Sequence, residues 1–224
     1  MSSTALDLTQ VDPDERYARL ARTLTDLAPG AAVEVVTGEP PRKLLQRLIA
    51  ERWGGFDWAP LSAAQGACRG VLRRRETPLP DSLAAFLTAD HARCDALYLE
   101  AEDAAQAGNL ARAEERFRAF HLGMLRHFEM EEQGFFTDFE ARSGMGREGP
   151  TAVMREEHEQ VRGLLRQMGD AVDEGDLATF LAGGETLLIL MEQHNLKEQQ
   201  VLYELADELF GPEAQALLKR LFLF

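Results

Sequence analysis

The hydrophobic pattern changes period partway along the chain. Up to residue 76, short apolar runs sit between glycine and proline punctuation; from Ser82 onward apolar residues recur every three or four positions. In the first stretch residues 5–8 alternate, and Asp12-Pro13-Asp14-Glu15 then gives a helix its cap, its first-turn proline and its early acids. That helix is expected to run to about Leu27, where Ala28-Pro29-Gly30 stops it. Ala32 to Thr37 reads as a strand, Gly38-Glu39-Pro40-Pro41 as a turn, Arg42–Arg52 as a second helix ended by Gly54-Gly55, and Phe56-Asp57-Trp58 and Ala67 to Arg74 as two more strands. The predicted order is β-α-β-α-β-β, a small α/β domain over residues 1–76. The two prolines of Glu76-Thr77-Pro78-Leu79-Pro80-Asp81 mark residues 77–81 as a linker.

Residues 82–224 are predicted to be all-α. Leu87, His91, Cys94, Tyr98, Ala101 and Ala105 form one stripe; Met154, His158, Val161, Leu165, Met168 and Val172 form another with the same alternating intervals. Between them runs Phe117, Phe120, Met124, His127, Glu131 and Phe135, and after them Leu177, Leu181, Leu188, Met191, His194, Glu198 and Leu202. These are core positions of bundle helices, so the histidines and glutamates stand where apolar side chains belong. The loops repeat as well. Gly108-Asn109-Leu110-Ala111 and Gly175-Asp176-Leu177-Ala178 each end one helix with glycine and cap the next with Asn or Asp. Two αα-hairpins joined by Gly144 to Pro150 make an up-down-up-down four-helix bundle. Pro212 to Phe224 reads as a short apolar helix docked on an end or flank of the bundle, or against the first domain.

The chemistry lies in what repeats. His127 and Glu131 are one helical turn apart, as are His194 and Glu198, and 127 − 91 and 194 − 158 are both 36. Four imidazoles and two carboxylates in an apolar core would cost several kcal/mol unless a cation satisfied them. His91, His127, Glu131, His158, His194 and Glu198 therefore read as the ligands of a two-metal site. With imidazole and carboxylate donors and no thiolate in the repeat, iron, manganese or zinc suits it better than copper(I) or an iron–sulfur cluster. Glu131 and Glu198 can bridge two ions that each take two imidazoles, leaving open positions for O2, NO or peroxide.

Charge and cysteine content narrow the partners. Of 24 Lys/Arg and 38 Asp/Glu, residues 77–224 hold 13 and 28, so the helical part is strongly acidic. That excludes the basic footprint expected for nucleic acid or an anionic membrane and suits a cation. Cys68 and Cys94 are too few for a disulfide framework. The segment Met1–Asp7 lacks a leader signal and no run of about 18 apolar residues occurs, so a cytoplasmic location is expected.

Other candidates are read as supporting residues. His121 lies off the ligand face, with contact to a ligand's far side as its alternative role. Cys94, Met124 and Met191 are read as core packing, Cys68 as a small buried strand residue, and Tyr98 as a hydrogen-bonding neighbour of the site. Asp95 and Arg162, each four after a lone histidine, are expected to face one another and limit access.

His91, His127-x-x-x-Glu131, His158 and His194-x-x-x-Glu198, with the acid–His pairs Asp90-His91 and Glu157-His158, resemble the hemerythrin-like HHE cation-binding domain. The resemblance implies a cytoplasmic non-haem di-iron centre with two Fe ions bridged by Glu131 and Glu198 and by an oxo or hydroxo group. Where oxygen-carrying hemerythrins have a fifth histidine and an aspartate, this chain has Arg162 and Gln199. Its pattern is closer to the repair-of-iron-centres proteins, although their amino-terminal paired cysteines are absent. The first domain resembles the TusA-like fold through Leu6-Asp7-Leu8, Asp12-Pro13, Leu27-Ala28-Pro29-Gly30, Glu39-Pro40-Pro41 and Phe56-Asp57-Trp58. Asp12-Pro13 replaces the Cys-Pro of the sulfur carriers, which excludes persulfide transfer by that route. The expected function is binding or sensing of O2, NO or peroxide, or iron handling under oxidative or nitrosative stress, with a protein partner met through the first domain. The alternative is a redox enzyme, reducing peroxide or NO or repairing iron–sulfur clusters, fed by an external electron donor.

Overall fold

The computed structural model describes residues 5–64, 67–77, 79–80 and 82–224. Met1–Thr4, and Pro78 and Asp81 of the expected linker, lie outside them. The chain divides into two compact units that part after Pro80.

The first unit follows the predicted order: β1 (Leu6–Asp7), α1 (Pro13–Asp26), β2 (Ala32–Thr37), α2 (Arg42–Arg52), β3 (Phe56–Ala64) and β4 (Ala67–Arg74). The strands lie in the order β1-β2-β4-β3, with β1 parallel to β2 and β4 antiparallel to both its neighbours. Alternation in β2 buries Val33, Val35 and Thr37, and Leu72 of β4 faces the same core as Leu20 and Leu24 of α1 and Leu45 and Leu48 of α2. Asp12 caps α1 by accepting from Asp14 N–H. Cys68, the second residue of β4, is half-buried rather than enclosed.

The second unit contains α3 (Leu83–Gln106), α4 (Leu110–Glu129), α5 (Phe136–Ser143), α6 (Pro150–Asp173), α7 (Leu177–Lys197), α8 (Tyr203–Phe210) and α9 (Ala214–Leu221). Two π-helical stretches, Met130–Phe135 and Glu198–Leu202, carry α4 into α5 and α7 into α8 without a break. α3 packs on α4, α6 on α7, and contacts of α4 with α6 and of α3 with α7 close the ring. The two hairpin loops have the same construction. Gly108 (φ 69°) and Gly175 (φ 76°) sit in the left-handed region, and the following N–H groups reach back to Ala104 and Ala171 carbonyls at 2.9 and 2.8 Å. Asn109 and Asp176 then cap α4 and α7 by accepting from Arg112 and Thr179 N–H. The α3 N-terminus is capped twice, by Ser82 and by Asp207 of α8, which accepts from Leu83 N–H at 2.7 Å.

The predicted stripes of the first three bundle helices are buried throughout. The fourth is rotated: Leu188 is 45% exposed and Leu177 and Leu181 are half-buried, while Phe180, Gly184 and Leu187 are buried. Tyr98 explains the rotation. Its hydroxyl lies 1.7 Å from where a Cβ on Gly184 would stand, so α7 must turn its glycine inward. α9 docks on the π-helical stretch after α4, with Leu221 and Phe224 lying over Gly134.

Candidate metal centre

All six predicted ligands converge. His91 and His127 bring their Nε2 atoms to 3.0 Å, and His158 and His194 bring theirs to 3.2 Å. Glu131 Oε2 lies 3.4 Å from His127 Nε2 on its own helical run and 3.3 Å from His158 Nε2 of the other hairpin. Glu198 Oε2 lies 3.3 Å from His194 Nε2 and 3.3 Å from His91 Nε2. Each carboxylate thus joins a histidine of its own run to one of the opposite half. Two overlapping groups result, His91–His127–Glu131–Glu198 and Glu131–His158–His194–Glu198, each with donor atoms mutually within 4.8 Å. Every member is buried.

The backbone divides the labour. The imidazoles stand on α-helix, whereas both glutamates stand on π-helix. In each π stretch a backbone N–H reaches back five residues: Phe136 N–H donates to Glu131 C=O, and Tyr203 N–H donates to Glu198 C=O. Residues five apart are therefore stacked on one side, as they are not in an α-helix.

A surrounding layer fixes each ring through Nδ1. His127 Nδ1 faces Asp90 at 3.1 Å, His194 Nδ1 faces Glu157 at 3.0 Å, and His158 Nδ1 faces Glu132 at 2.7 Å. His91 Nδ1 meets the Gln199 amide at 3.0 Å. A carboxylate that accepts the Nδ1 proton leaves the Nε2 lone pair pointing inward, toward the other five ligands. The acid of each acid–His pair orients the histidine of the neighbouring helix rather than its own sequence neighbour. Burial alone would raise Asp90, but Arg126, the His127 hydrogen bond and Arg93 hold it well below the usual carboxylate range. Glu132 is likewise held down, to about 2, because hydrogen bonds from His158 and Arg162 outweigh its burial. Phe128 stacks on His158 at 4.0 Å and Phe136 lies nearly parallel to it at 5.8 Å, giving that side an apolar wall.

Several supporting roles need correction. Arg162 does not face Asp95; it turns to Glu132 at 2.9 Å and Glu159 at 2.7 Å, the acids nearest its guanidinium, and lies over Phe128. The Tyr98 hydroxyl is buried without a hydrogen-bond partner among the described residues and its ring packs on Phe120, so it makes no hydrogen bond to the site. His121 packs on Phe117 and is in neither donor group. Cys94 is buried, and that burial pushes its thiol to about 12, which suits packing and not a thiolate. Met124 and Met191 are core side chains.

Sequence periodicity missed Tyr203. Its hydroxyl lies 2.6 Å from Glu131 Oε1, 2.9 Å from Glu198 Oε2 and 3.1 Å from His91 Nε2. The 67-residue repeat pairs it with Phe136, and that polar-for-apolar exchange at a buried position was the available signal.

The donor set fits a cation. Glu131 Oε2 and Glu198 Oε1 are buried and accept no hydrogen bond from the described residues, although imidazole nitrogens lie around them. Ionised oxygens left in that state are strongly unfavourable unless positive charge lies between them. The fold and site thus define a helical bundle with a histidine–carboxylate centre able to hold metal. The family model of the hemerythrin HHE cation-binding domain matches residues 82–206, more than half of the 224-residue chain, and the chain belongs to that family. No curated protein and no solved structure matches it.

Proposed function

We propose that the second unit is a non-haem dinuclear iron protein with up-down-up-down topology. His91 and His127 would hold one ion, His158 and His194 the other, and Glu131 and Glu198 would span both. The observation that carries this reading is the pair of buried donor groups sharing two carboxylates. Such ions supply Lewis acidity and exchangeable electrons; the chain orients the imidazoles and keeps water from the His158 side. A cavity of about 20 Å3 beside His91, and a cleft of about 350 Å3, share Asp95, Leu188, Met191 and Asn195 as lining residues, which suits entry of a small molecule along the α3–α7 seam. The function is to bind or sense O2, NO or peroxide, or to handle iron under oxidative or nitrosative stress, in the cytoplasm. Arg162 and Gln199 are occupied with Glu132 and His91, which favours the repair-of-iron-centres likeness over reversible oxygen carriage. The first unit is proposed to be TusA-like and to meet a protein partner.

Iron analysis of protein purified without chelators, beside the His127→Ala/His194→Ala double variant, tests this. Two irons per chain, lost in the variant, are expected; iron that is absent or indifferent to the substitutions overturns the reading.

A further inference from the structure

Tyr203 has one hydroxyl proton and three close polar neighbours. Oη approaches Glu131 Oε1 at 2.6 Å, Glu198 Oε2 at 2.9 Å and His91 Nε2 at 3.1 Å, all buried. Ionised carboxylates only accept, so the single proton serves one of them and leaves the other oxygen facing Oη lone pair to lone pair. Placed around a cation, the same arrangement has no such conflict, since every oxygen points a lone pair at the charge. Glu131 and Glu198 belong to both donor groups, so His91 decides between them, and it belongs to His91–His127–Glu131–Glu198 alone. Among the described residues the other side has no counterpart, because the equivalent residue is Phe136, stacked on His158. The backbone brings Tyr203 there: the N–H of Tyr203 bonds to Glu198 C=O five residues back, which stacks phenol over carboxylate.

On the reading of the site proposed above, we infer that Tyr203 Oη is a seventh metal donor, belonging to the His91–His127 ion alone. The Oη–H bond breaks as the Oη–metal bond forms, and the proton leaves to solvent. The two ions are then inequivalent, with five protein donors on one and four on the other.

The test is resonance Raman spectroscopy of the full chain loaded with iron(III), with iron content measured on the same sample. Tyrosinate vibrations enhanced in a visible phenolate-to-iron(III) absorption are expected, and their loss in Tyr203→Phe at unchanged iron content. Wild-type protein with both irons and no tyrosinate vibrations overturns the inference while the dinuclear reading stands; a chain that takes up no iron overturns both. The wild-type spectrum is decisive without the variant, so misfolding of Tyr203→Phe does not shield the inference.

Discussion

Glu132 and Gln199 occupy equivalent positions, 67 residues apart, and each crosses to the first histidine of the opposite hairpin: Glu132 to His158 Nδ1 at 2.7 Å, Gln199 to His91 Nδ1 at 3.0 Å. One side thus backs its imidazole with a charge and the other with a neutral amide. A carboxylate behind Nδ1 makes Nε2 the more basic ligand. Glu132→Gln is expected to weaken metal retention on the His158 side by roughly 10- to 100-fold. Competition with a chelator of known affinity reads this directly; unchanged retention counts against it.

The shared carboxylates and the unshared histidines should behave differently. Removing Glu131 or Glu198 takes a donor from both groups, whereas removing His91 takes one from a single group. Glu198→Ala is expected to depress occupancy of both ions, and His91→Ala to leave one largely in place. Metal content per chain after dialysis distinguishes them.

Stripping the metal should soften the bundle more than the loss of a surface ligand would. Glu131 and Glu198 would then carry buried oxygens with neither cation nor hydrogen bond. Metal held at about 100 times its Kd contributes about 2.7 kcal/mol, so calorimetry is expected to show a melting temperature several degrees lower for the stripped protein, restored on reloading. Equal melting temperatures would contradict the assignment.

The two hairpin caps offer a pH test. Asn109→Ala is expected to cost about 1 kcal/mol at any pH. Asp176 is held below the ordinary aspartate value first by the Thr179 N–H and then by the Thr179 hydroxyl. A depressed pKa stabilises above the unfolded value and that contribution is lost as pH falls through the folded one. The penalty of Asp176→Ala should therefore fade on acidification below the aspartate range while that of Asn109→Ala persists, as chemical denaturation across pH would show.

Tyr98 and Gly184 are interlocked through a hydroxyl with no hydrogen-bond partner among the described residues. Tyr98→Phe is expected to leave stability unchanged or raise it by up to about 1 kcal/mol. Gly184→Ala should cost about 1–3 kcal/mol by overpacking, and less in the Tyr98→Phe background. Denaturation midpoints of the two singles and the double give the coupling.

The imidazoles and glutamates were legible because a repeat is visible at any distance along a chain: His91, His127, Glu131 and their copies are separated by fixed intervals that no packing detail alters. The caps were legible because Gly-Asn and Gly-Asp act locally. Tyr203 was not, since a 3.6-residue period places it well off the Glu198 face and only the π turn brings it back. Arg162 was misplaced for a related reason: equivalence to Asp95 in the repeat says nothing about which acids lie nearest in space, and those are Glu159 and Glu132. Leu187 and Leu188 satisfy the same helical spacing, and only the bulk of Tyr98 opposite Gly184 chooses between them.

The π stretches make oxygen and nitrogen donors separately adjustable. Every imidazole stands on ordinary α-helix before its π turn or outside it, while Glu131, Glu198 and Tyr203 take their bearing from the extra residue those turns accommodate. Excising one residue after Glu198 would swing Tyr203 by about 100° and leave the four histidines aimed as before. A single-codon deletion could thus strip the phenol from the centre without touching a ligand, a kind of variation that a substitution scan never samples.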